Sequence, residues 1–144
     1  MTTEDIEDKI ITEIKTQMTY VKTVETYAGQ LEGEIDKLPI IYPANYVSYV
    51  VSDFEWIDGP NWKETCQFSV LVCSKNLKGN EALRKANYGC YQMIEDLKTN
   101  LINETFSLAI EKLQIVRVQL LFITKTVAVY GVDFQTSFDM TFNW

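Results

Sequence analysis

The fold is decided by the stretch Ala128–Phe142, which reads AVYGVDFQTSFDMTF. Every even position in this stretch except Thr136 is apolar, whereas the odd positions are mostly small or polar. Because side chains alternate between the two faces of a strand, this period of two predicts one long strand with an apolar face and a solvated face. Its apolar positions carry no catalytic type of group, so we expect a scaffold element.

The residues before this strand predict a hairpin and a further strand. Tyr46–Ile57 and Trp62–Cys73 read as strands, and the turn residues 58–61, Asp-Gly-Pro-Asn, lie between them. The first half of the hairpin, Tyr46–Val51, is apolar on both faces almost throughout, so we expect it to be covered on both sides. Gln114–Thr124 predicts the strand that precedes the last one, which we expect to span Thr126–Phe142.

Two segments have the periodicity of amphipathic helices. Thr3–Met18 places isoleucines four residues apart, with Thr2 or Thr3 as a cap and acidic residues at its N-terminal end. Glu81–Asn103 carries a second apolar stripe, and Gly89 interrupts it. We therefore predict a helix in each segment.

Shorter elements join the first helix to the hairpin. Tyr20–Tyr27 predicts a short strand, and the polar stretch Gln30–Lys37 predicts a turn or a short helical piece. Leu38–Pro43 is apolar, but its two prolines remove donors from any strand ladder, so it predicts an extended edge segment or the entry to a strand.

The order of these elements predicts the fold class. A helix, a strand, a strand hairpin, a helix and a second strand hairpin follow one another, which is typical of an α+β fold. We expect a mainly antiparallel sheet of four to five strands with two helices packed on one face. With 144 residues and no low-complexity linker, residues 1–144 are expected to form one domain.

The side-chain inventory argues against catalysis. The chain has no histidine, which removes the commonest acid–base group and the Ser-His-Asp and Cys-His arrangements. Neighbouring carboxylates such as Glu95 and Asp96 point about 100° apart on a helix, so they do not converge on a substrate. There is no phosphate-binding glycine loop. We expect a protein that is not an enzyme and that uses no cofactor.

The three cysteines are expected to be free and buried. Cys66 and Cys73 lie on opposite faces of one predicted strand, so they cannot form a disulfide with each other, and Cys90 lies in the second predicted helix. No CxxC spacing exists, and without histidine a zinc site would need thiolates and carboxylates alone. We therefore expect no metal site.

Charge is concentrated at the N-terminal end. The formal net charge is −7, and residues 1–36 hold nine acidic and three basic side chains. This balance disfavours tight sequence-specific binding of nucleic acid, but it is compatible with a surface that lets DNA pass without sticking. The acidic N-terminus does not resemble a secretory signal, and no apolar run approaches the ~20 residues of a membrane helix. We expect a protein made in a cytoplasm, with no membrane partner.

Three stretches resemble one family of phage proteins. Residues 24–31, VETYAGQL, followed by Leu38-Pro39, resemble the opening of the Mu-like phage tail terminator (tail-completion) proteins. Residues 88–97, YGCYQMIEDL, resemble the central helix of that family, and residues 127–136, VAVYGVDFQT, resemble its last strand. The three stretches occur in the family's order, over about residues 3–138. The lead-in to Tyr88 lacks the regular arginine-glycine pattern of the family.

The resemblance implies a structural virion protein without catalytic activity. Members of this family assemble into a ring, typically a hexamer, at the head-proximal end of the tail. The ring stops polymerisation of the tube and sheath proteins and presents a docking surface to the head–tail connector, and DNA passes through it without sequence-specific binding. The implied location is the virion tail, assembled in the bacterial host cytoplasm.

A ring needs a heterologous interface, in which one patch of a subunit meets a different patch on the next. A sheet edge at Leu38–Pro43 or in the hairpin Tyr46–Cys73 is one candidate. Attraction between the acidic N-terminal segment and a set of cations is the other. The residues that we select as the candidate interface are Glu4, Asp8, Tyr27, Pro39, Tyr42, Lys75, Lys78, Arg84 and Lys85.

Two alternative functions fit the same observations. One is a different neck or tail-completion protein, because these small α+β domains resemble one another. The other is a small-molecule binding module with a tyrosine-rich pocket between helix and sheet, which predicts a monomer or dimer that a ligand stabilises.

Overall fold

The computed structural model of the chain describes residues 1–86 and 88–142, with the backbone alone at Asn80, Ala82 and Leu83. Asn87, Asn143 and Trp144 lie outside the described residues. The elements are α1 (Thr3–Gln17), β1 (Thr23–Thr26), a 3₁₀ turn (Ile35–Lys37), β2 (Ala44–Asp58), β3 (Asn61–Lys75), α2 (Asn80–Lys85), α3 (Cys90–Leu101), β4 (Gln114–Ile123) and β5 (Val127–Thr141).

The strands form one sheet in the order β1-β2-β3-β5-β4. The short strand β1 runs parallel to β2, and every other neighbouring pair is antiparallel. The long central strands β3 and β5 pair over their whole length, from Asn61 opposite Thr141 to Lys75 opposite Val127. This architecture confirms the predicted α+β class and its mainly antiparallel sheet.

Helices α1 and α3 pack on one face of this sheet. Their buried side chains fall on the periodic positions of each helix, and they meet the buried face of β3 and β5. The core residues of α1 are Ile6, Ile10 and Ile14, those of α3 include Met93, Leu97 and Leu101, and the sheet contributes Phe68, Val70, Val132 and Phe134. Thr2 caps α1 as predicted, because its hydroxyl accepts from the Asp5 N–H while the Asp5 carboxylate accepts from the Thr2 N–H.

The opposite face is covered at one end only. The chain between β1 and β2 folds over a second apolar cluster that includes Tyr46, Cys73 and Val129. Leu38–Pro43, the predicted edge segment, forms no ladder within the described part of the chain; its Ile40 and Tyr42 side chains pack on this cluster, and the segment then enters β2. The predicted short helical piece is confirmed by the 3₁₀ turn.

The prediction of one helix over Glu81–Asn103 is wrong in its middle. The structure has two helices there, α2 and α3, and Tyr88 between them has a φ of 63°. A residue in this left-handed region cannot continue an α-helix. Gly89 is the extended N-cap of α3, not an interior glycine, and residue 87 of the predicted helix lies outside the described residues.

Two predictions of solvent exposure are also wrong. The odd positions of β5 are not a solvated face, because Asp133 and Ser137 are buried in a strand that has long neighbours on both sides. Conversely, the second part of Tyr46–Val51 is not covered: Tyr49, Val50 and Val51 are exposed. The reason is that β1 ends opposite Val47, so β2 loses its outer neighbour beyond that residue.

Candidate subunit interface

The outer edge of β2 is unpaired over most of its length. β1 pairs with Ala44–Val47 alone, so the stretch 48–58 has β3 on one side and, among residues 1–86 and 88–142, no strand on the other. Phe54 and Trp56 on this stretch are 56% and 59% exposed. Exposed edge strands with apolar side chains are sites where another strand can add.

The stretch is nevertheless fixed to the rest of the sheet. The Ser52 hydroxyl donates to the buried Glu64 carboxylate at 2.6 Å, and the Tyr49 and Ser52 hydroxyls are hydrogen-bonded to each other. At the hairpin end the Trp56 indole N–H donates to the Gly59 carbonyl at 3.0 Å. Side-chain hydrogen bonds therefore fix residues 48–58 to the rest of the hairpin.

The opposite border of the sheet is formed by β4, which pairs only with β5 in the part of the chain that the structure describes. Its apolar side chains Val116, Val118, Leu120 and Leu121 are all more than a third exposed. At each of its two borders the sheet thus has an apolar strand whose outer side is unpaired in the described residues. We call residues 48–58 the β2 edge and Gln114–Ile123 the β4 edge.

Apolar side chains of both edges lie on the helix-covered face of the sheet. Directly opposed residues of neighbouring strands share a face. Tyr49 lies opposite the core residue Phe68, and Trp56 lies opposite Trp62 farther along the same face. On the other border, Val118 lies opposite the core residue Val132.

Charged side chains of both edges lie on the other face, and they are opposite in sign. Asp53 and Glu55 of the β2 edge face the same side as Thr65 and Lys63, whereas Arg117 of the β4 edge lies opposite Asp133. Residues 48–58 carry three acidic and no basic side chains, and residues 112–125 carry three basic and no acidic ones. No ion pair within 4.0 Å joins any of these six to an oppositely charged group in the described residues.

Each edge strand contains irregularities of register. The pairing of β2 with β3 shifts between Tyr49 and Val51, and the pairing of β4 with β5 shifts between Ile115 and Arg117. Such bulges bend a strand and increase its local twist. Both edges are therefore curved, not straight.

The candidate interface residues selected from the sequence are distributed over both faces of the sheet. Glu4 and Asp8 are exposed on α1, on the helix-covered face. Tyr27 and Tyr42 are partly buried against the second cluster on the other face, and Pro39 is exposed beside a depression there. Tyr27, Tyr42 and the acidic helix are thus not brought into one patch.

The selected cations lie mainly at one end of the molecule. The Lys75 ammonium lies 6.0 Å from the centre of the Tyr42 ring, and Lys85 forms an ion pair with Glu81 at 3.6 Å. Lys78 is exposed in the loop before α2. Arg84 is half-buried, and its Nε atom is buried without a hydrogen-bond partner in the described part of the chain. Lys78 is thus open to a partner, whereas Lys85 already has an ionic partner within its own chain.

The candidate interface selected from the sequence omits Asp53, Glu55 and Arg117, three of the four charged residues of the two edges. The signal was present: acids without bases in one strand, and bases without acids around another. This charge pattern does not indicate an interface by itself, because the sequence does not show that the two strands lie at opposite borders of the sheet.

The best-formed depressions in the described residues do not lie between the two long helices and the sheet. A depression of about 290 Å³ lies instead beside β1 and is lined by Thr23, Glu25, Gln30, Pro39, Ile40, Ile41 and Tyr46. A depression of about 460 Å³, lined by Leu77, Lys78, Gly79, Lys125 and Thr126, is more open still. Both are open to solvent, unlike the enclosed clefts that are typical of ligand sites.

The three thiols are free and fully buried, as predicted. Burial raises the pKa of the Cys66 thiol to about 11 and that of Cys90 to about 12, and the pKa of Cys73 is also raised by burial. At neutral pH they are protonated, and a protonated thiol is a poor nucleophile.

The comparisons with known proteins agree with these observations. No helix in the described residues is long and apolar enough to span a bilayer. No curated protein matches the sequence. A model of the family described as bacteriophage Mu, Gp37, matches residues 2–139, which is nearly the whole chain. The chain therefore belongs to the bacteriophage Mu Gp37 family of structural, tail-related phage proteins.

Proposed function

We propose that this protein is the tail terminator subunit of a phage or phage-derived particle, without enzymatic activity. Copies of it form a ring on the head-proximal end of the tail. The ring stops growth of the tube and sheath and docks the tail to the head–tail connector. We take the ring to be a hexamer, assembled in the host cytoplasm, through which DNA passes without sequence-specific contacts.

The observation that carries this proposal is the pair of unpaired edges at opposite borders of one sheet. A subunit with two different adhesive borders associates head to tail, and head-to-tail association closes into a ring when the rotation per copy allows it. Membership in the Mu Gp37 family supports the phage context. The excess of acid in residues 1–36 supports a surface that does not hold DNA.

The first test is the solution mass of the purified protein, by light scattering after gel filtration at several concentrations and salt levels. We expect a ring-sized species, or a monomer that shifts toward one as concentration rises. A strict monomer at every concentration and salt level would overturn self-assembly in solution.

The second test addresses the terminator role itself. We expect electron micrographs of particles made without this gene to show tails of irregular length that lack heads, and complementation to restore normal particles. Tails of normal length that merely lack heads would favour a different neck protein. Normal, headed particles would overturn both readings.

A further inference from the structure

We infer that neighbouring subunits join by adding the β4 edge of one copy to the β2 edge of the next, so that the sheet continues through the seam. This inference rests on the proposed ring. The partner of each edge is a second copy of this chain, because the two edges complement each other in length, in the face on which their side chains lie and in charge.

The lengths of the two edges match. The β2 edge has eleven residues and the β4 edge has ten, so each spans roughly 33 Å of extended strand. Both present backbone N–H and C=O groups that, within the described chain, have a ladder on the inner side alone. Pairing the two edges satisfies these groups in both copies at once.

The faces match because a rotation about the ring axis keeps the helix-covered face of every copy on the same side. The exposed side chain of Phe54 then meets Val118, and Trp56 and Leu120 lie beside that pair on the same face. On the other face, the acidic residues of the β2 edge meet Arg117. Apolar side chains of one copy thus lie against apolar side chains of the next, and acidic side chains lie beside a basic one.

The direction of the seam follows from the strand order. β2 runs antiparallel to β3, β3 to β5, and β5 to β4, so β2 and β4 of one copy run in opposite directions. A β4 edge added to the next copy's β2 edge is therefore antiparallel. In the register of full overlap that keeps the faces matched, Ile123 lies opposite Tyr49 of the next copy, Val118 lies opposite Phe54, and Arg117 lies opposite Glu55.

Full overlap also fixes the slant of the strands. Val118, Val132, Val70 and Val47 lie in one row across the sheet, whereas full overlap places Val118 opposite Phe54 of the next copy. Without the extra residue Val50, neighbouring copies are therefore displaced along the strands by about six residues, or about 20 Å, for every four strands of about 19 Å in width. The resulting slant is roughly 45°, at the upper end of the range typical of closed barrels.

The test uses variants that each disable one edge. We expect Phe54→Asp on the β2 edge and Leu120→Asp on the β4 edge to remain folded, because both side chains are exposed, and each variant alone to be monomeric where the wild type is a ring. Phe54→Asp retains an intact β4 edge and Leu120→Asp retains an intact β2 edge. An equal mixture of the two variants should therefore form a heterodimer. Leu77→Asp, at a residue 84% exposed and off both edges, is the matched control that keeps the ring.

The charge pair provides a second, independent measurement. We expect Glu55→Lys and Arg117→Glu each to weaken ring formation by tenfold or more at low salt, and the double variant E55K/R117E to restore it. Far-ultraviolet circular dichroism checks that each variant is folded.

The outcomes separate the two proposals. If the wild type forms a ring and the Phe54→Asp and Leu120→Asp variants form it equally well, the seam is wrong and the ring stands. Monomeric single variants whose mixture stays monomeric also overturn the seam, because a head-to-tail contact must give a dimer. A wild type that never associates in solution overturns self-assembly and the seam with it, whereas the terminator role is decided separately by the tails of particles made without the gene.

Discussion

The Tyr20 hydroxyl donates a hydrogen bond to the Asp96 Oδ2 atom at 2.5 Å, and the Tyr20 ring stacks on Tyr88 with 4.4 Å between the ring centres. One side chain, just after α1, thereby holds α3 and the residue that separates α2 from α3. Burial raises the pKa of Tyr20, and the hydrogen bond to Asp96 raises it further. The hydroxyl therefore keeps its proton and remains a donor well above neutral pH.

Replacing Tyr20 by Phe should lower the free energy of unfolding by about 1–2 kcal/mol, because the carboxylate of Asp96 loses a donor while the ring stack remains. Urea denaturation measures the change. Tyr88→Phe is the matched control, since the Tyr88 hydroxyl has no hydrogen bond within residues 1–86 and 88–142. Equal stabilities of the two variants would show that the bond to Asp96 contributes nothing.

Truncating the α1 core should be far more costly than truncating an exposed side chain. Ile10 is fully buried between α1 and the sheet, whereas Leu77 is 84% exposed. We expect Ile10→Ala to cost about 2–5 kcal/mol and Leu77→Ala to change stability by less than about 0.5 kcal/mol. Thermal or urea unfolding followed by circular dichroism measures both. A small loss for Ile10→Ala would mean that α1 is not docked on the sheet.

The thiols should report global unfolding. Cys66, Cys73 and Cys90 are fully buried, and burial raises the pKa of each. We expect a thiol reagent at pH 8 to label none of them in the native protein within minutes and all three in strong denaturant. Rapid labelling of one thiol in native conditions would reveal local opening around that residue.

Stability should decline in alkali. The pKa of Cys66 is about 11 in the folded chain against an ordinary value of 9.0, and that of Tyr46 is about 12 against 10.0. Above pH 9 the unfolded chain releases these protons while the folded chain retains them, so the unfolded state gains relative stability. The contribution is complete below pH 9 and is lost progressively as the pH rises toward 11–12.

Urea midpoints from pH 7 to 11 measure this decline. In Cys66→Ala we expect a shallower fall between pH 9 and 11 than in the wild type, whatever its stability at pH 7. An identical slope in the two proteins would show that Cys66 does not contribute to it.

The strands and the first helix were predictable because each has a clear hydrophobic period. The period alone does not reveal which strands are neighbours. Tyr49–Val51 is as apolar as the buried residues before it, and its exposure follows from β1 ending opposite Val47. The break before α3 was missed because the apolar stripe continues through it, whereas the φ of Tyr88 is a property of the backbone that periodicity does not report.

The charges at the candidate interface were harder to predict for a related reason. The sequence favours Lys75, Lys78 and Lys85 because their charge complements the acidic N-terminal segment, and charge alone does not show on which side of a sheet a residue lies. Arg117 and Asp53 acquire their meaning only from the strand order, since this order places their strands at opposite borders.

The bulges in β2 and β4 have a consequence for the number of copies. Each seam joins one β2 edge to one β4 edge. A growing arc therefore has a free β2 edge at one end and a free β4 edge at the other, until the last copy meets the first. The contact itself does not define the number of subunits in the ring. That number depends on the rotation between neighbouring copies, which the bends in the two edges influence. We expect removal of the extra residue Val50, which straightens the β2 edge, to give open filaments in electron micrographs instead of closed rings.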